Sequence, residues 1–96
     1  MIIFIDIDET ICNTGCADYS KAMPNYVNIE KANNLYKRGN HIVYYTSRGS
    51  QTGIDWKDLT EQQLIDWDVL YHELRLDKPF YDLLIDDKAL NAQDWI

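Results

Sequence analysis

Three short apolar runs in this chain each stop at a polar or acidic residue, and that pattern narrows the folds open to it. Ile2-Ile-Phe-Ile5 ends at Asp6, Ile42-Val-Tyr-Tyr45 ends at Thr46, and Tyr81-Asp-Leu-Leu-Ile85 ends at Asp86 and Asp87. Runs of this kind suit strands buried on both faces, as in a parallel sheet. Between the first two, Asn25 to Arg38 reads as a helix. Pro24 stands near its start, Ile29, Ala32, Leu35 and Tyr36 form a stripe at helical spacing, and Gly39 is placed to end it. Ser50 to Leu59 is polar and irregular. Thr60-Glu-Gln-Gln63 has the form of a capping box opening a short helix through Leu64, Ile65 and Trp67. Val69 to Leu76 is a third candidate strand, broken by Lys78-Pro79 because proline cannot continue a central ladder. Tyr81 to Ile85 then makes the fourth, with a short helix and tail to Ile96.

The order strand, helix, strand, helix, strand, strand predicts an α/β fold. With right-handed crossovers it is a small Rossmann-like parallel sheet with helices on both faces. At 96 residues the chain, 1–96, makes one domain with no room for a second module. The polar strand ends would share the carboxyl edge of the sheet, where open α/β sheets bind ligands.

Charge excludes some functions. Nine basic against sixteen acidic side chains leave a formal charge of −7, which argues against salt-driven nucleic-acid binding. A small anionic substrate stays possible, because a bound cation reverses the local field. No segment approaches the roughly 18 apolar residues of a membrane span, and Asp6 arrives too early for a signal peptide. A cytoplasmic protein is expected, with Cys12 and Cys16 as reduced thiols, since no further ligands at metal-type spacing accompany them.

Asp6 and Asp8 stand at i and i+2 on the first strand, so both carboxylates face one site if the strand geometry persists. Like charges held that close need a cation, a proton or a dipole. Asp86 and Asp87 end another strand of the inferred sheet, Thr46 and Ser47 add hydroxyl and backbone donors, and Lys78 adds a cation. Carboxylates with carbonyls and waters suit Mg²⁺. A metal, a carboxylate nucleophile and an anion cradle are the parts phosphoryl transfer requires.

At these residues the chain resembles the haloacid dehalogenase superfamily. Phe4-Ile-Asp6-Ile-Asp8-Glu-Thr10 is similar to its first motif, Thr46 to the second, Lys78 to the third, and Leu83-Leu-Ile-Asp86-Asp87 to the fourth. The four come in order and span nearly the whole chain. Thr46-Ser-Arg-Gly49, Lys78-Pro-Phe-Tyr-Asp82 and Ile85-Asp-Asp-Lys88 also resemble small capless members associated with sugar-phosphate or capsule-biosynthesis chemistry.

The resemblance implies a magnesium-dependent phosphatase acting on a small phosphorylated sugar or metabolite. Asp6 would attack phosphorus, Asp8 would serve as acid and then base, and Thr10 would orient Asp8. Thr46, Ser47 and Lys78 would hold the phosphoryl oxygens. Asp6, the Asp8 carbonyl, Asp86 and Asp87 would hold the metal, with Asp87 the preferred direct ligand. Neither Ile11 to Met23 nor the link near Asp77 is long enough for a cap domain, so the site is expected to be open.

Plainer roles compete for several residues. Asp6 and Asp8 suit a strand-end turn, Thr46 and Ser47 suit a cap, and Asp86 and Asp87 suit a polar loop. Arg48 divides evenly between reaching substrate and pairing with a carboxylate. Trp56, Trp67 and Trp95 are expected as core or edge cover, and His41 and His72 as structural. A phosphatase for polynucleotide ends or phosphoproteins, and a non-catalytic binding domain of the same fold, are the rival functions. The aromatic content of so short a chain, with seven Tyr and three Trp, points to self-association.

Overall fold

The computed structural model describes residues 1–15 and 18–96; Cys16, and with it any statement on its thiol, lies outside them. The described elements are β1 (Ile2–Ile5), β2 (Cys12–Asn13), β3 (Met23–Pro24), α1 (Tyr26–Lys37), β4 (His41–Tyr45), α2 (Lys57–Asp66) and β5 (Glu73–Arg75), with 3-10 turns at Tyr19–Lys21 and Ala92–Asp94. The strands β1, β4 and β5 form a parallel sheet in that order, pairing Ile3 with Ile42, Ile5 with Tyr44, and Tyr44 with Leu74. Among the described residues this is a small α/β fold with a three-stranded parallel sheet and two α-helices.

The helix between the first two long strands follows local rules. The Asn25 side chain caps it by accepting from the Asn28 amide at 3.1 Å, and Gly39 leaves it at φ 92°. Ile29 and Ala32 are its buried face, packing with Ile5, Ile42 and Tyr44 of the sheet and with Leu64 and Trp67 of the second crossover. Both helices therefore share one face of the sheet, a correction to helices on both faces. The cause is topological: strands laid down in one direction across the sheet send every right-handed crossover to the same side. The opposite face carries Phe4 edge-on to Tyr45 at 5.4 Å, under the Arg75 guanidinium.

Three further expectations are corrected. The third strand is shorter than Val69 to Leu76, only Glu73–Arg75. Tyr81 to Ile85 is not a strand: Leu83, Leu84 and Ile85 are exposed and pair with no strand, which leaves the outer edge of β1 free among the described residues. An apolar run reports that a segment gains by burial, but it does not name a partner. The second helix begins at Lys57, so Thr60 lies inside it, fully buried, and is not its cap.

The two histidines are structural, as expected. His72 Nδ1 accepts from the Ile42 amide at 3.1 Å, and its ring stacks between Tyr36 and His41. Trp67 is core and Trp95 packs against it, its carbonyl accepting from Lys31 Nζ at 2.7 Å. No described helix is long and apolar enough to cross a membrane.

Candidate active site

Asp6 and Asp8 leave the carboxyl end of β1 just before the chain turns, with the Ile11 amide bonded back to the Ile7 carbonyl at 3.0 Å and Glu9 at φ 60°. Asp6 Oδ1 accepts from the Ile7 amide at 2.8 Å, and Oδ2 lies 3.5 Å from Lys78 Nζ. Lys78 is held there by its backbone: its amide donates to the Thr46 carbonyl at 3.2 Å and its carbonyl accepts from Ser50 Oγ at 2.6 Å. Burial pushes the Asp6 carboxyl above its ordinary range, with the Asp8 charge adding to the rise and Lys78 only partly offsetting it.

Asp8 is treated in the opposite way. Arg48, whose side chain is wholly buried, grips it as a fork, Nη2 to Oδ1 at 2.8 Å and Nε to Oδ2 at 3.0 Å. Thr14 Oγ1 donates to Asp8 Oδ1 at 2.7 Å. The other guanidinium hydrogens are also taken: Nη1 donates to Gln63 Oε1 at 2.6 Å and Thr60 Oγ1 at 3.1 Å, and Nη2 reaches Cys12 Sγ at 4.0 Å. Gln63 Nε2 donates on to the Tyr19 carbonyl at 2.6 Å, and the Tyr19 ring lies 4.7 Å from the guanidinium carbon. Burial alone would raise the Asp8 carboxyl, but the bonds from Arg48 and Thr14 together with the Arg48 charge outweigh it and hold the carboxyl low. The Cys12 thiol, buried beside Asp8, is pushed up to about 11 and stays a thiol.

These contacts decide between the two roles open to Arg48: it pairs with a carboxylate and has no hydrogen left for a substrate. The hydroxyl that bonds Asp8 is that of Thr14, while among the described residues the hydrogen bonds of Thr10 run through its backbone, its carbonyl accepting from Asn28 Nδ2 at 2.8 Å. Thr46 is buried against this network, its Oγ1 accepting from the Arg48 amide at 3.2 Å, which leaves the hydroxyl proton to give. Ser47 follows it at the surface of a cavity. Sequence reasoning missed Thr14, Thr60, Gln63 and Tyr19. Only Thr14 carries a local signal, being a hydroxyl six residues after the carboxylate it serves.

Asp86 and Asp87 are not brought to Asp6. Both are exposed, and the contact Asp86 makes is with the Lys88 amide at 3.4 Å. No three acidic, His or Cys side chains among the described residues come together as a metal site would require. The donor set as arranged does not fit Mg²⁺, since one carboxylate already beside an ammonium is too little for a hard divalent cation.

The comparisons with known proteins speak to fold. A crystal structure of a structural-genomics target from Vibrio cholerae superposes with a TM-score of 0.88 at 25% identity, covering 97% of this chain and 85% of that one. Agreement over that length supports the architecture described above, and the parallel sheet is consistent with a small haloacid-dehalogenase-like core. No family model matches the sequence, and no curated protein matches it.

Proposed function

We propose that this chain is a phosphomonoesterase of the haloacid dehalogenase type, cytoplasmic, acting through a phospho-aspartate at Asp6 on small phosphorylated metabolites, sugars among them. The observation that carries the reading is the unequal treatment of two neighbouring carboxylates. Asp6 faces Lys78 and keeps an open side, while Asp8 is locked in a buried fork with Arg48. Two titratable groups whose surroundings drive them apart are the usual sign of divided acid, base and nucleophile roles.

In the reaction an Asp6 oxygen bonds to phosphorus as the bond to the leaving oxygen breaks, and that oxygen takes a proton from Asp8. A water then gives a proton to Asp8, its oxygen bonds to phosphorus, and the Asp6–phosphorus link breaks to release phosphate. Lys78 and the hydroxyls of Thr46 and Ser47 offset charge on the phosphoryl oxygens. Arg48 fixes the direction of Asp8 and favours its ionised form, which suits the second step. The first step then favours acyl and aryl phosphates, whose leaving oxygens need no proton. A magnesium requirement belongs to the proposal through the resemblance alone, and it needs Asp86 or Asp87 carried to Asp6.

The test is phosphate release from an aryl phosphate by the wild type and by Asp6→Asn, each beside a thermal melt. The proposal expects turnover by the wild type and none by a folded Asp6→Asn. Equal release by both would remove Asp6 as nucleophile. No release by either would favour a non-catalytic binding domain. The polynucleotide reading is weakened by Arg48, because a strand needs several free cations and this one is fully engaged.

A further inference from the structure

Beside the phosphoryl site lies a cavity of about 380 Å³ lined by Tyr19, Ser47, Gln51, Ile54, Trp56 and Phe80, with Gly49 and Thr52 completing it. Three links tie it to the chemistry. Ser47 follows Thr46, Phe80 stands two residues after Lys78, and the Tyr19 ring lies against the Arg48 guanidinium that holds Asp8. A tight loop builds its outer wall: the Gly53 amide bonds the Gly49 carbonyl at 2.8 Å, and Gly49 sits at φ 84° where a Cβ would collide with the Ile54 carbonyl.

We infer that this cavity is the leaving-group subsite, and that it takes a neutral, hydroxyl-bearing saturated ring; the inference rests on the phosphomonoesterase reading. Among the described residues no lining side chain carries a formal charge, so a second phosphate or a carboxylate finds no partner among them. The lining joins three aromatic rings to hydroxyl and amide groups on Ser47, Gln51 and Thr52, which suits a ring with one apolar face and a rim of hydroxyls. Tyr19 and Trp56 meet edge to face, 82° apart at 5.1 Å, so they do not form the pair of parallel faces that would clasp a flat base.

The experiment measures kcat/KM for a hexose monophosphate, a hexose bisphosphate, glycerol phosphate, a nucleoside monophosphate and acetyl phosphate. It uses the wild type, Phe80→Ala and Gln51→Ala, two substitutions at exposed positions. The hexose monophosphate is expected to exceed the glycerol, bisphosphate and nucleoside esters. Its ratio to acetyl phosphate is expected to fall about tenfold in Phe80→Ala, the order of one aromatic contact, and to fall also in Gln51→Ala. Acetyl phosphate turnover with no preference among the other esters, or with ratios unmoved by both substitutions, overturns the subsite and leaves the phosphatase standing. Preference for the nucleoside or the bisphosphate overturns the ligand class. A wild type that fails on every ester but binds the hexose monophosphate by calorimetry, and binds it more weakly in Phe80→Ala, overturns the phosphatase and keeps the subsite as a binding site. Failure of both turnover and binding overturns both.

Discussion

Replacing Asp8 by Asn removes one charge from the Arg48 pair while nearly preserving volume, so its effect on stability isolates the electrostatics of the fork. Arg48 has no exposed side-chain surface and Asp8 retains 23%. The substitution strands a buried guanidinium whose Nε would then face an amide or lose its carboxylate partner. Breaking a buried pair on one side typically costs 3–5 kcal/mol, and water access at Asp8 places this case near the lower end, about 3 kcal/mol. For a domain of this size that lowers Tm by roughly 12–24 °C. The companion double variant, Asp8→Asn with Arg48→Met, leaves no orphaned charge and is expected to be more stable than Asp8→Asn alone. The assay is a set of urea and thermal melts in chelator. A loss under about 1 kcal/mol for Asp8→Asn, or a double variant weaker than the single, would refute the claim that the buried cation holds Asp8.

The two carboxylates should also give opposite pH slopes in the metal-free protein. Asp8 is lowered, so its contribution is present above its unfolded pKa and lost as pH falls through the folded value; Asp8→Asn should flatten the acid limb of stability against pH. Asp6 is raised, so the stability gained by protonating it is present below its unfolded pKa and lost as pH rises through the folded value; Asp6→Asn should retain that gain at neutral pH in urea melts. The magnesium requirement that the resemblance implies is tested by excess chelator: loss of phosphate release would support it, and full activity would remove the metal from the proposal. Self-association is expected in light scattering, because Ile2, Phe4, Leu83 and Ile85 expose apolar surface; a monomeric mass at high concentration would count against it.

What was legible in the sequence was what neighbouring residues decide. The apolar runs of β1 and β4, the helix start at Asn25, the Ile29 and Ala32 stripe and the Gly39 stop all act within one or two turns of chain, and all stand in the structure to within a residue. The pairing of Lys78 with Asp6 was legible only through the resemblance, since a lone lysine has no pattern. The Asp8–Arg48 fork joins residues forty apart, and no periodicity encodes it. Thr60 shows the same limit in reverse: its local spacing fits a capping box, but its hydroxyl serves the guanidinium inside the helix. Tyr81 to Ile85 had the composition of a strand, but a strand exists only where a ladder partner is offered.

The most direct test of the central claim is chemical. The protein is mixed with acetyl phosphate, quenched in acid within one turnover, digested and analysed by mass spectrometry for an acid-stable, base-labile acyl phosphate. The account predicts phosphate on the peptide carrying Asp6, at Asp6, and none on the same peptide from Asp6→Asn. Turnover without any phosphopeptide, or phosphate located on another side chain, would contradict it.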